Sequence, residues 1–422
     1  MRYLLIICFI WICGPSAAQS PDSIYMQNIH TVQLYLHGNQ LAYPIVTLNG
    51  GEKIDLEFDD LDANYKSYYY TYQLCNADWT PVQVSSFDYI RGFEQNPIPN
   101  YHYSSVALTR YTHYHAVLPE LGSLIIRSGN YLLKVFLDND TSKLAFTRRL
   151  LVQENSVSVA GQFLQPMNPQ ISQTHQKIQF SVNSRALSLI NPFQQLKVIV
   201  LQNHRWDNAL YIDKPSFFSG TDFEYNSDDV PVFPGGQQWR WLDLQSFRYQ
   251  SDRVAKADYQ PAATTIYVKP DVDRSSLPYY YYTDYNGQYF IKTTESINPF
   301  WQTDYATVKF TFIPPDNAVI PDQEVYLFGA LTGYKFNDAT RLNFNTQKGI
   351  YEGSALLKMG YYNYAYVTLN KNDPAASASF QFTEGNHLET ENDYLILVYY
   401  RAMGGRADQL VGTFSLNTLN AQ

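Results

Sequence analysis

Apolar and polar residues alternate with a period of two along most of the chain. Residues 31–36 (TVQLYL), 54–58 (IDLEF) and 68–74 (YYYTYQL) each place every second side chain on one face, the pattern of a strand that buries that face. Residues 131–137 (YLLKVFL) follow a Ser128-Gly129-Asn130 turn, and residues 146–152 follow the turn at Asp138-Asn139-Asp140, which predicts a hairpin. Strands of the same kind are predicted at 177–182, 196–202, 241–244, 246–249, 264–268, 306–313, 324–328, 361–369 and 394–400. No stretch of about 12 residues repeats apolar positions at helical spacing; the best helix candidate, residues 184–190, is short. Short strands separated by turn signals predict an all-β chain of tandem immunoglobulin-like β-sandwich domains.

The first residues break this pattern. Arg2 is followed by a near-unbroken apolar run from Leu4 to Ile12, then Gly14-Pro15 and the small residues Ser16-Ala17-Ala18, so 1–18 reads as a secretory signal peptide. The apolar run is about half the roughly 20 residues that a membrane span needs. Without the leader roughly 400 residues remain, enough for two to four domains at about 100–200 residues each. The expected division is 19–155, a middle β-rich unit at 156–297, and a C-terminal sandwich at 298–422. Cys8 and Cys13 leave with the leader and Cys75 is then alone, so ordinary cores have to hold the domains together without a disulfide.

Thirty basic and 39 acidic residues give a net charge of −9, which argues against a nucleic-acid partner. The sequence lacks Gly-x-Ser-x-Gly, a Gly-rich phosphate loop and His-Glu-x-x-His, so no enzyme, metal or cofactor is expected. Asp55, Glu57 and Asp59 share one face of a predicted strand and read as a solvated acidic face. His113 and His115 share a face of another, read as hydrogen-bonded in preference to metal-binding. The chain carries 37 tyrosines, and tyrosine serves both half-buried strands and binding surfaces. The densest run is Tyr279, Tyr280, Tyr281, Tyr282 and Tyr285. As a strand, only alternate members could be buried, and the others would face a partner. Trp239 and Trp241 flank Arg240 and are either core residues or a stacking platform; together with the tyrosine run they are the candidate partner interface.

Two resemblances are carried by longer motifs. Val325-Tyr326-Leu327-Phe328-Gly329, followed by Gly360-Tyr361-Tyr362-Asn363-Tyr364, resembles early-set domains of the kind used as glycogen- and starch-binding modules. It leaves a carbohydrate-binding envelope protein as the alternative function. The segment Cys75-Asn76-Ala77-Asp78-Trp79, then Arg91-Gly92-Phe93 and Gly129-Asn130-Tyr131, resembles the type IX secretion system plug proteins, a Bacteroidota family formerly catalogued as a domain of unknown function. The likeness continues through Asp284-Tyr285-Asn286-Gly287 and Glu391-Asn392-Asp393-Tyr394 over nearly the whole mature chain. It implies structural roles for Asp78, Trp79, Gly92, Phe93, Gly129, Asn130 and Tyr131. It also implies a periplasmic, non-enzymatic protein, peripheral to the inner face of the outer membrane, that plugs the periplasmic mouth of the giant β-barrel translocon when no substrate is present.

Overall fold

The computed structural model describes residues 21–120, 122–373 and 377–420; the expected signal peptide lies outside them. The described residues are all-β, with one four-residue α-helix at Pro192–Gln195. The helix candidate at 184–190 is turn and coil.

The alternation read from the sequence builds the first sandwich. Ile54–Asp60 lies between Ile29–Leu36 and Thr112–Leu118 in a four-stranded sheet whose outer strand is Asn100–Tyr103. Ile54, Leu56 and Phe58 point from it into a core shared with Tyr68, Tyr70, Tyr72, Tyr131, Leu133 and Val135 of the facing sheet. Phe58 stacks on Tyr114 at 5.1 Å and meets Tyr68 edge-on at 5.1 Å, geometries that add to the burial itself. The predicted hairpin is present: Gly129–Leu137 pairs antiparallel with Leu144–Gln153, Tyr131 opposite Leu150.

Pairing departs from the expected division at the other boundaries. Leu196–Gln202 pairs with Asp393–Tyr400, which pairs with Gln409–Asn417. That last strand touches Leu144–Gln153 in parallel at Gln153 and Leu410, so one nine-stranded sheet runs from the first sandwich into the second. The second core therefore joins Ile178, Phe180 and Val200 to Tyr394, Ile396 and Val398, residues expected in separate domains. Between its two halves the chain builds a third core. Leu242, Val254, Ile266 and Ile291 lie there with Val308, Phe310, Tyr364 and Tyr366, although the expected boundary at 297 separates the two groups. The cause is the parallel pairing of Ala263–Val268 with Tyr305–Ile313 across that boundary. A strand's alternation fixes which face is buried, not which neighbour it takes.

Candidate functional site

The acidic face of Ile54–Asp60 is not solvated. Asp55, Glu57 and Asp59 are each at most 5% exposed: Tyr305 and Lys358 of the third unit pack over Asp59, while His37 and Gly38 close over Asp55. His113, on the neighbouring strand, places Nδ1 2.8 Å from Asp59 Oδ1 and Nε2 2.8 Å from Glu57 Oε2. His115 Nδ1 lies 2.7 Å from Glu57 Oε1. Lys358, fully buried and 299 residues further along the chain, forms an ion pair with Asp59 and donates to the Phe300 carbonyl at 2.5 Å. Tyr305 donates its hydroxyl to Asp59 Oδ2 at 2.5 Å.

Burial opposes the charges of Glu57, Asp59, His113, His115 and Lys358, and the partners outweigh it for all but the lysine. Asp59 is held below the usual carboxylate range by Lys358 and His113 despite burial. Burial pulls His113 down, and its hydrogen bonds to Asp59 and Glu57 more than restore it, so its pKa is raised. Burial draws Lys358 below the ordinary ammonium value while Asp59 holds it up. The cluster joins the first unit to the third, and other bonds run beside it. Asp304 accepts from the backbone N–H groups of Leu108 and Thr109 at 2.9 and 3.0 Å, and Gln40 bonds both N–H and C=O of Ile291. Among the described residues no group of three or more His, Cys, Asp and Glu side chains is arranged to hold a metal.

The family-motif residues gather chiefly where the first and second units meet. Asp78 accepts from the Thr80 N–H and hydroxyl, closing a turn that holds Trp79 at φ +66°. The Trp79 indole stacks under Arg149 at 4.9 Å and meets Trp206 edge-on at 5.0 Å. Asn130, fully buried, donates to the Asn76 and Ala77 carbonyls and accepts from the Tyr399 hydroxyl at 2.8 Å. Tyr131 donates to the Arg127 carbonyl at 2.7 Å. At Gly129 (φ +143°) an added Cβ would lie 3.1 Å from the Asp408 carbonyl oxygen, which leaves little room for a side chain. Gly92, with φ +105°, passes so close to Gly122 that an added Cβ would lie 2.0 Å from its carbonyl oxygen. Phe93 beside it is 71% exposed.

The tyrosine run is not a strand, and its exposure does not alternate. Tyr280 and Tyr281, adjacent in sequence, are 76% and 46% exposed, and Tyr285 is 37% exposed. Tyr279 and Tyr282 turn inward: Tyr282 donates to the carbonyls of Gln238 and Trp239, and Tyr279 to Gln238 Oε1. Trp239 is buried against Phe328 and Phe380, which removes it from any stacking platform. Trp241 is half-buried and stacks on Tyr361 at 6.4 Å.

Arg240, between the two indoles, enters a buried ion network that sequence reasoning missed. It bonds Glu384 at 2.9 Å and Asp271 at 2.9 Å, and Arg253 and Arg274 reach the same two carboxylates. Nearby, Asp284 accepts from the Trp239 N–H at 2.6 Å and the Asn286 N–H at 2.8 Å. Burial nevertheless pushes its pKa up to about 7. Nothing in the local pattern marked Asp271 or Glu384; for the separate Asp59 cluster the one signal was Lys358, a charge set inside an apolar run.

Residues 29–154 match the family described as Type 9 secretion system plug protein 1st domain. A crystal structure of a hypothetical protein from Parabacteroides merdae superposes with a TM-score of 0.89 at 29% identity, covering 94% of this chain and 99% of that one. No curated protein matches the chain. The matched span is the first sandwich together with the turns that carry the Asp78-Trp79 and Gly129-Asn130-Tyr131 motifs. That first-domain match supports the type IX secretion plug family.

Proposed function

We propose that this chain is a non-enzymatic periplasmic plug. It sits against the inner face of the outer membrane and closes the periplasmic opening of the type IX translocon barrel while no substrate occupies the pore. The observation that carries this reading is the first-domain match over residues 29–154. The architecture supports it: a wide barrel left open would leak, and a cap has to be large and hold its shape. Here the first unit shares a sheet with the second and is tied to the third through Lys358 and Asp59. Among the described residues no helix is long and apolar enough to cross a membrane, which fits a peripheral attachment. The carbohydrate alternative loses its best support with Trp239 in the core.

The reading predicts that tagged mature protein, taken from its native envelope in mild detergent, brings down a giant outer-membrane barrel in near-stoichiometric amount. Recovery without a barrel, from cells that make one, would sink it.

A further inference from the structure

Two turns meet where the first unit touches the third, and each presents an aliphatic tip to water. Residues 105–110 follow the outer strand Asn100–Tyr103, and residues 297–302 precede Tyr305–Ile313. The Ser105 N–H joins them by donating to the Trp301 carbonyl at 2.9 Å. Val106 is 84% exposed, Ile297 is 99% exposed and Leu108 is half-exposed. Tyr101 and Tyr103 on the adjoining strand are exposed as well.

Neither turn is loose. The Ser104 N–H donates to the Tyr111 carbonyl at 2.8 Å and closes the neck of the first turn, and the buried Asp304 takes the N–H groups of Leu108 and Thr109 from beneath. In the second turn Asn298 Oδ1 accepts from the N–H groups of Phe300 and Trp301 at 2.8 and 3.4 Å. The Asn298 N–H reaches Gln302 Oε1 at 3.0 Å, and the Gln302 N–H donates back to the Asn298 carbonyl at 3.2 Å. Val106 is held at φ +71°, a strained conformation for a β-branched side chain. At this exposure its own packing does not offset the strain, and strain kept at a surface residue points to a contact outside the molecule.

We propose that these two turns are a membrane-docking surface, seated among the headgroups of a phospholipid leaflet. The tips are plain aliphatic side chains, without the polar groups that set the register of a protein interface. The bonded amides around them end on acceptors inside the chain, as an apolar medium demands. Residues 100–110 and 297–303 hold no Asp or Glu and one Arg, Arg110, in a chain of net charge −9. The carboxylates next to them are engaged: Asp304 lies under the first turn, and Asp62, near the exposed Tyr65, pairs with Lys66. An acid-free patch on an acidic chain is the face that an anionic leaflet admits. Tyr101 and Tyr103 add amphipathic rings of the kind that settle at headgroup level. The setting at the inner face of the outer membrane rests on the plug reading.

The test floats purified mature protein with vesicles of phosphatidylethanolamine and phosphatidylglycerol. It needs no barrel, so its result is separate from that of the plug reading. Wild type should rise with the vesicles. Val106→Asn and Ile297→Ser should each partition about tenfold more weakly, the loss of one aliphatic side chain from an apolar medium. Both should melt no lower than wild type, because asparagine tolerates the left-handed region and Ile297 is fully exposed. Wild type left behind by the vesicles would overturn the proposal, and so would variants that float as wild type does. Variants that still float but lose the barrel in the pulldown would make the turns a protein contact instead. The wild-type flotation and the two variants, one in each unit, decide the matter even if one variant does not fold.

Discussion

At the scale of single residues, His113 carries the firmest chemical statement. Both ring nitrogens lie 2.8 Å from carboxylate oxygens, and a carboxylate can only accept. Both nitrogens must therefore donate, so the ring is an imidazolium. Its raised pKa follows from the same bonds. The sign for stability is then fixed. The contribution is whole below the unfolded value of about 6.5 and is lost as pH rises through the higher folded value. Thermal unfolding of wild type and His113→Gln, followed from pH 6 to 9 (roughly the range over which a raised histidine titrates), should show curves that converge toward alkaline pH. A pH-independent gap would show that the ring is not charged.

Lys358 makes a second case. Lys358→Met leaves Asp59 buried with a smaller counter-charge, and removing one partner of a buried pair costs about 3–5 kcal/mol. The double variant with Asp59→Asn should recover part of that loss in a denaturant-based double-mutant cycle. Additive losses would mean that the two do not interact.

At the scale of elements, backbone demands are as specific as side chains. Ile90–Gly92 pairs with Ser123–Ile125, and Gly92 fits only without a Cβ. Gly287, at φ +80°, leaves an added Cβ 2.8 Å from the Trp239 ring. Gly92→Ala and Gly287→Ala should each lower stability by about 1–3 kcal/mol. In Gly287→Ala the loss should come with a changed Trp239 environment in near-ultraviolet circular dichroism. Wild-type spectra and melting would contradict the packing described.

The same scale shows what the sequence made legible. Period-two alternation located the hairpin at Gly129–Leu137 and Leu144–Gln153 and the apolar face of Ile54–Asp60, because every second side chain of these strands enters the same core. It misjudged Asp55, Glu57 and Asp59 because it assumes that a polar face is a wet one, and here Lys358 and Tyr305 cover Asp59 while histidines close over the other two. It misread the tyrosine run because tyrosine density signals strand, whereas residues 278–288 make no strand pairing. Their order comes from side-chain bonds to Gln238 and Trp239 that lie about 40 residues away.

At the scale of the whole molecule, the third unit is inserted into the second. Asp393–Tyr400 completes a sheet whose other half lies before residue 235, so a fragment ending at 297 leaves Leu196–Gln202 with only the three-residue strand Leu210–Ile212 beside it. That fragment should fail to give a cooperative unfolding transition, and independent folding of 156–297 would contradict the topology. Insertion also fastens the third unit at both its ends, and the Asp59–Lys358 contact fastens it again from the side. This is the arrangement expected of a cap that has to move as one piece.

Single-channel conductance of the translocon barrel, purified with this chain and from cells that lack it, tests the plug most directly. The account predicts closed pores that open when the chain is stripped, and open pores from the deletion strain that close when purified chain is added to the periplasmic side. Equal conductance with and without the chain would contradict it.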